Sequence, residues 1–299
     1  MGIGIADFNG DGYMDVFVAN DTERNFLYLN QKDGTFKEAG LRYGVAYNDM
    51  AAIVSGMGCD AKDVNNDGWT DIFYNNLQSQ IFALFLNQGG EFFQYVSPTS
   101  GVESLSRHFS GWSNGFIDYN NDGWKDIYSS NGDVDYFEPN AKQRDTMFEN
   151  VDGQRFVEIG EKLGKDFQHL GFQRGSAFVD LNDDGFLDIV VTSLNEKPRI
   201  LVSSANNGNH WLMVEAVGRV SNRDGIGAQI KVTTGSGRAL YNHVTTSVGF
   251  MSSSDRRVHF GLGQERTLKS VEVRWPSGTV HTLTNVPVDK ALKVEEPRK

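Results

Sequence analysis

The sequence predicts an all-β protein, built from a run of repeated four-stranded sheets followed by a smaller β-rich domain. Three observations carry that expectation. One nonapeptide pattern recurs four times. Short apolar and aromatic runs flank every copy, many alternating with the two-residue period of a half-buried strand. Glycine is frequent, at 33 of 299 residues, while proline numbers only 6, a balance that suits tight turns between strands rather than flexible linkers.

The repeats begin at Asp7, Asp63, Asp118 and Asp180, so their starts lie 56, 55 and 62 residues apart. Each reads D-x-N-x-D-G-aromatic-x-D. A Gly- and aromatic-containing strand is expected to enter each loop and a β-rich strand to leave it, as in Val16-Phe-Val-Ala19 and Ile189-Val-Val-Thr192. A third strand follows, at Phe26–Asn30, Phe82–Asn87, Thr146–Asn150 and Arg199–Val202. After a glycine turn comes a fourth, around Phe36, Phe92-Phe93 and Phe156-Val157. Four short strands per repeat of about 55 residues is the signature of a propeller blade. The fourth repeat lacks the glycine turn and phenylalanine strand, and Met1 directly precedes the first lead-in strand. The expectation is therefore a partial ring whose further blades lie upstream, with a closed four-bladed ring or closure by a second chain as alternatives.

The nonapeptide spacing is that of a calcium loop. Calcium takes six to eight hard oxygen ligands, and a tightly turning chain presents alternate side chains to one centre. Positions 1, 3, 5 and 9 supply those oxygens: Asp7, Asn9, Asp11 and Asp15; Asp63, Asn65, Asp67 and Asp71; Asp118, Asn120, Asp122 and Asp126; Asp180, Asn182, Asp184 and Asp188. Glycine at position 6 allows the sharp turn, and Tyr13, Trp69, Trp124 and Phe186 at position 7 would offer their carbonyls. About four calcium ions are expected, one per loop. An EF-hand is excluded, because position 12 is Val18, Tyr74, Ser129 or Val191 where a bidentate Glu is needed.

Residues 1–205 thus resemble FG-GAP/VCBS repeats, the calcium-bearing blades of integrin α-subunits and many bacterial surface proteins. Residues 206–299 form the second expected domain, divided from the first near Asn206-Asn-Gly-Asn209. Its strands are expected around Trp211–Val217, Ala228–Thr234, Ala239–Thr245, Arg257–Leu262, Ser270–Trp275, Val280–Leu283 and Ala291–Val294, as a small sandwich or barrel. The runs Ser221-Asn-Arg-Asp-Gly-Ile-Gly, Gly249-Phe-Met-Ser-Ser-Ser-Asp255, Val258-His-Phe-Gly-Leu-Gly263 and Val271-Glu-Val-Arg-Trp-Pro-Ser-Gly278 resemble the ASPIC/UnbV domain. Blades followed by this domain resemble the cartilage acidic protein-like family. The epidermal-growth-factor-like module of its animal members has no counterpart here, since Cys59 is the one cysteine, and a bacterial relative is the simpler expectation.

The formal charge of −11 divides into −16 over residues 1–205 and +5 over the remainder. An acidic chain of this kind argues against a general nucleic-acid binder, and no apolar run reaches the roughly 18 residues that span a bilayer. Gly111-Trp-Ser113-Asn-Gly115 matches a nucleophile elbow but lies in a strand entering a loop, where that motif needs a strand-to-helix turn. The six histidines, at 108, 169, 210, 243, 259 and 281, show no zinc spacing, and no phosphate-loop motif occurs. Asn222, Arg223 and Asp224 read as a turn, and Cys59 as a packed residue.

The function expected is a binding or adhesion module for a protein or glycan, extracellular, periplasmic or on the cell surface, with calcium structural. No catalytic residue is assigned. The export expectation comes from the family resemblance and from the millimolar external calcium that suits such sites, since the chain shows no signal peptide and its N-terminus is read as truncated. The alternative is a calcium-dependent polysaccharide-acting enzyme, or an accessory protein of a biosynthetic pathway.

Overall fold

The computed structural model describes residues 1–298. Strands β1 (Gly2–Ala6), β2 (Asp15–Ala19), β3 (Phe26–Asn30) and β4 (Phe36–Glu38) form the first antiparallel meander. The second comprises β5 (Cys59–Lys62), β6 (Asp71–Tyr74), β7 (Ala83–Gln88) and β8 (Phe92–Tyr95). Two short helices, α1 (Ser97–Ser100) and α2 (Val102–Ser106), lead to the third: β9 (Gly111–Ile117), β10 (Asp126–Asn131), β11 (Thr146–Asn150) and β12 (Phe156–Glu158). The fourth sheet has three strands, β13 (Gln173–Val179), β14 (Asp188–Ser193) and β15 (Arg199–Leu201), because no Gly turn and Phe strand follow Leu201.

The two-residue period of these strands is what stacks the sheets. In β6, Ile72 and Tyr74 pack toward the first sheet with Phe17, Leu27 and Phe85, while Phe73 between them turns to Phe82, Phe116 and Phe148 of the second and third. In β10, Ile127 joins that second core and Tyr128 joins Phe178, Ile189 and Val191 of the fourth sheet. Each blade is therefore apolar on both faces and needs a neighbour on each. The two end faces are open: Ile3 of β1 is 47% exposed and Ile200 of β15 is 59% exposed.

Residues 202–209 lead into a sandwich of two sheets. One contains β16 (His210–Val217), β19 (Val258–Gly263) and β22 (Lys290–Glu295), in the order β19-β16-β22, with β16 and β22 parallel. The other runs β18 (Ala239–His243), β17 (Gln229–Thr234), β20 (Leu268–Arg274), β21 (Val280–Leu283). Val214, Phe260, Ile230, Val232, Val273 and the fully buried Trp275 share the core between them.

The segment between β18 and β19 leaves the sandwich and crosses the inner strands of all four blades. Ser247 Oγ donates to the Ile3 carbonyl at 2.9 Å, and Gly249 exchanges backbone bonds with Cys59. The Phe250 N–H donates to Ser113 Oγ at 3.1 Å, and the N–H groups of Ser176 and Phe178 donate to Ser252 Oγ and Ser254 Oγ. Small residues line this axis because the backbones approach closely: a Cβ on Gly249 would strike Ser113 Oγ, and one on Gly58 would strike the Trp112 carbonyl.

Candidate functional site

All four nonapeptides join the first strand of a sheet to its second and adopt one conformation. Position 6, Gly12, Gly68, Gly123 or Gly185, has φ of 88°, 94°, 88° or 86°. Position 4 is left-handed too, and is filled by Gly10, Asn66, Asn121 and Asp183, residue types that tolerate it. Two left-handed residues two apart curl the chain so that its N–H groups face inward. The position-1 carboxylate accepts from the N–H of positions 5 and 6, as when Asp63 accepts from Asp67 at 3.2 Å and Gly68 at 2.7 Å. Asn65 Oδ1 accepts from the Asp67 N–H, Asn65 Nδ2 donates to Asp67 Oδ2, and Asp67 Oδ1 accepts from the Trp69 N–H. The loops of Asp7, Asn9, Asp11 and Tyr13, of Asp118, Asn120, Asp122 and Trp124, and of Asp180, Asn182, Asp184 and Phe186 repeat this pattern.

Position 9 does a second job. Asp15, Asp71, Asp126 and Asp188 are fully buried, and each accepts one N–H from position 2 of its own loop and one from the end of its third strand or just beyond it, at Asn30, Asn87, Asn150 or Ser203. The ninth residue thus ties the loop to its blade. Among the described residues, no three His, Cys, Asp or Glu side chains converge into a ready-made metal cluster, because the carboxylates are turned onto these N–H groups.

Gathering so much acid is electrostatically expensive. Burial lifts Asp15 and Asp63 to about 6 and Asp118 to about 7, and pushes Asp71 and Asp126 well above the usual carboxylate range. Neighbouring carboxylates reinforce the rise, Asp122 for Asp118 and Asp63 for Asp71. Three carboxylates and an amide oxygen within nine residues match the donor chemistry of a hard cation.

The loops are stapled to one another. Asn66 Nδ2 donates to the Gly123 carbonyl and Asn121 Nδ2 to the Gly185 carbonyl, each linking position 4 of one loop to position 6 of the next. The Trp69 ring lies against Gly10 and Gly90, and the Trp124 ring against Gly153. Asn87 and Asn150 reach back to the carbonyls of Phe8 and Val64 in the preceding loops.

The C-terminal sandwich sits on top of all four loops. Gln229 Nε2 donates to Asp7 Oδ2 at 3.1 Å, and the Tyr241 ring covers Gly68. Arg238 donates to the carbonyls of Asp122 and Gly123 and stacks 4.5 Å over Trp124. Arg257 donates to the Asp180 carbonyl and pairs with Asp183 at 3.1 Å. The buried Lys125 bridges the carbonyls of Asp63 and Tyr241 at 2.7 and 2.8 Å. Two buried imidazoles stand behind these contacts. His259 Nε2 donates to the Gly185 carbonyl at 3.0 Å, His243 Nε2 has no partner, and burial depresses both to about 4.

Sequence reasoning missed this cap entirely. Arg238, Arg257 and Lys125 carry no motif, and their roles come from contacts spanning 62 to 116 residues. Ser113, flagged for its elbow motif, is fully buried and accepts from Phe250 N–H and Ser176 Oγ, which makes it an anchor for the axial segment. Asn222 does hold a turn, accepting from and donating to the Ile226 backbone.

Residues 7–59 and 63–129 match the FG-GAP-like repeat family, and residues 218–299 match the ASPIC and UnbV family. Cartilage acidic protein 1 of Homo sapiens is 24% identical over 99% of this chain, and that of Xenopus tropicalis 26% identical over 94%. The chain spans 44% and 42% of those two proteins, less than half of each. Among solved structures, the BP39L lectin of Burkholderia pseudomallei is 10% identical, with a TM-score of 0.44 over 97% of this chain and 87% of its own. An Agrocybe aegerita lectin that recognises non-reducing terminal N-acetylglucosamine is 20% identical, with a TM-score of 0.40 over 67% of this chain and 51% of its own. The chain thus carries FG-GAP-like repeats and a C-terminal ASPIC and UnbV domain, and is similar over nearly its whole length to cartilage acidic protein 1.

Proposed function

We propose that this chain is a calcium-bearing binding module, extracellular or on the cell surface, that presents a rigid face to a protein or glycan. The observation that carries it is the fourfold repetition of one acid-rich loop, with its first and ninth carboxylates buried, beneath a single covering domain. The side-chain oxygens at positions 1, 3, 5 and 9 and the carbonyl at position 7 would hold the ion. When bound, calcium supplies two positive charges that offset the repulsion among three carboxylates. The chain's own residues do the rest: the N–H groups of positions 5 to 7 orient the carboxylates, position 9 transmits the loop's geometry to its blade, and Arg238, Arg257 and Lys125 tie the loops to the sandwich. Sites of this kind suit millimolar external calcium, and the curated relatives are named for cartilage.

Isothermal calorimetry on the chelator-stripped chain tests the reading. Uptake of about four calcium ions, with a rise in melting temperature, is expected. A chain that takes up no calcium, and whose melting is indifferent to chelator, overturns it.

A further inference from the structure

The outer face of sheet β18-β17-β20-β21 does not lie flush on the loops. It leaves a cleft of about 440 Å³ above the first two, within the roughly 300–1,000 Å³ of small-ligand sites. The floor is acidic, with Asp7, Asp11 and Asp63, and Trp69 stands at its side. The roof follows from strand register. Pairing of β17 with β18 and β20 sets His243, Gln229 and Arg274 in one row and Tyr241, Lys231 and Glu272 in the next. Because side chains alternate, Ile230, Val232 and Val273 fill the sandwich core while these six face the loops.

Two features of the roof are unspent. Lys231 and Arg274 make no ion pair among the described residues, although acid lies across the cleft. The Tyr241 ring lies against Gly68 and has Lys231 Nζ over it, 5.4 Å from its centre, and it is not fully buried.

We propose that this cleft binds an acidic saccharide, a glycan unit that bears one carboxylate among several hydroxyls. Its carboxylate meets Arg274 and Lys231, its hydroxyls meet Glu272, and its ring packs against the exposed part of Tyr241. A phosphate-rich ligand fits less well than a single carboxylate, because the roof offers two cationic side chains, Lys231 and Arg274, to match its charge. An aromatic ring fringed by donors and acceptors suits a molecule with one apolar face and a polar perimeter. The proposal rests on the glycan-binding side of the function above and names its place and chemistry.

The test is titration calorimetry on the full chain in excess calcium, with a β-1,4-linked glucuronate hexamer against the glucose hexamer of the same linkage. The two differ only in carboxylate against hydroxymethyl at C6. The glucuronate hexamer is expected to bind about tenfold more tightly, and Arg274→Gln and Lys231→Gln each to remove most of that preference with calcium uptake unchanged. Equal affinity for both hexamers, undiminished preference in Arg274→Gln, or no binding by a chain that takes up calcium would each overturn the cleft assignment alone. Glucuronate binding without calcium uptake would instead overturn the calcium reading and leave this one standing.

Discussion

Glu296 follows the last strand with both oxygens enclosed. Its Oε2 accepts from the N–H groups of Arg219, Val220 and Ser221 at 2.7 to 2.8 Å, and its Oε1 accepts from the hydroxyls of Ser221 and Ser277. Burial opposes its charge, but the Ser277 hydroxyl and the three N–H groups outweigh burial and hold the carboxyl at about 2, against an ordinary 4.5. A depressed folded value means the unfolded chain binds the proton first as pH falls. Glu296 therefore contributes its full share above pH 4.5 and loses it progressively toward pH 2. Urea denaturation of wild type and Glu296→Gln from pH 6 to 3 is expected to show a stability gap that narrows below pH 4.5, and a constant gap would refute the assignment. At the opposite end of the residue scale, Gly58→Ala is expected to cost about 2 kcal/mol, because its methyl would lie on the Trp112 carbonyl across two blades. A melting temperature unchanged by that substitution would contradict the close approach. Neither position announces itself in the sequence: Gly58 lies among small residues, and Glu296 in a charged tail.

The elements were legible where local chemistry decides them. The lead-in strands, the second and third strands of each blade and all seven strands of the sandwich lie within a few residues of their expected places. The left-handed glycine at position 6 follows from the turn it must make. Less legible were the short helices at Ser97–Ser100 and Val102–Ser106, the parallel pairing of β16 with β22, and the ties between neighbouring blades. Those ties depend on where one repeat meets the next, which no single window contains. Asn150 illustrates them. Its amide donates to Val64 and Lys125 carbonyls at 3.0 Å, its own Oδ1 accepts from Gly153, and it is buried. Asn150→Ala leaves two buried carbonyls short of a donor and is expected to cost about 2 kcal/mol in chemical denaturation, with the number of calcium ions bound unchanged. Asp67→Ala should act through the ion instead, since Asp67 is exposed in its loop. Calorimetry is expected to register one ion fewer, and full stoichiometry in that variant would remove Asp67 from the ligand set.

At the scale of the molecule, the charge that divides the sequence into an acidic part and a basic part is also what joins them. Arg238, Arg257 and Gln229 of the sandwich all meet the acidic loops of the blades. With the axial segment hydrogen-bonded to each inner strand, the blades and the sandwich have no independent surface along which to part. A calorimetric scan of the full chain is expected to give a single cooperative transition that calcium moves as a whole, and a separate, calcium-indifferent transition of the sandwich would show that the contacts do not couple the two.

The axial segment also sets a timetable. Ser247 bonds to Ile3, 244 residues earlier, so the first blade waits for the ribosome to deliver most of the chain before its inner strand is satisfied. Contacts so distant in sequence slow folding and leave strand edges and apolar blade faces uncovered in the meantime. During synthesis the half-made stack of blades is thus the vulnerable species until residues 245–255 are there to bond its inner strands.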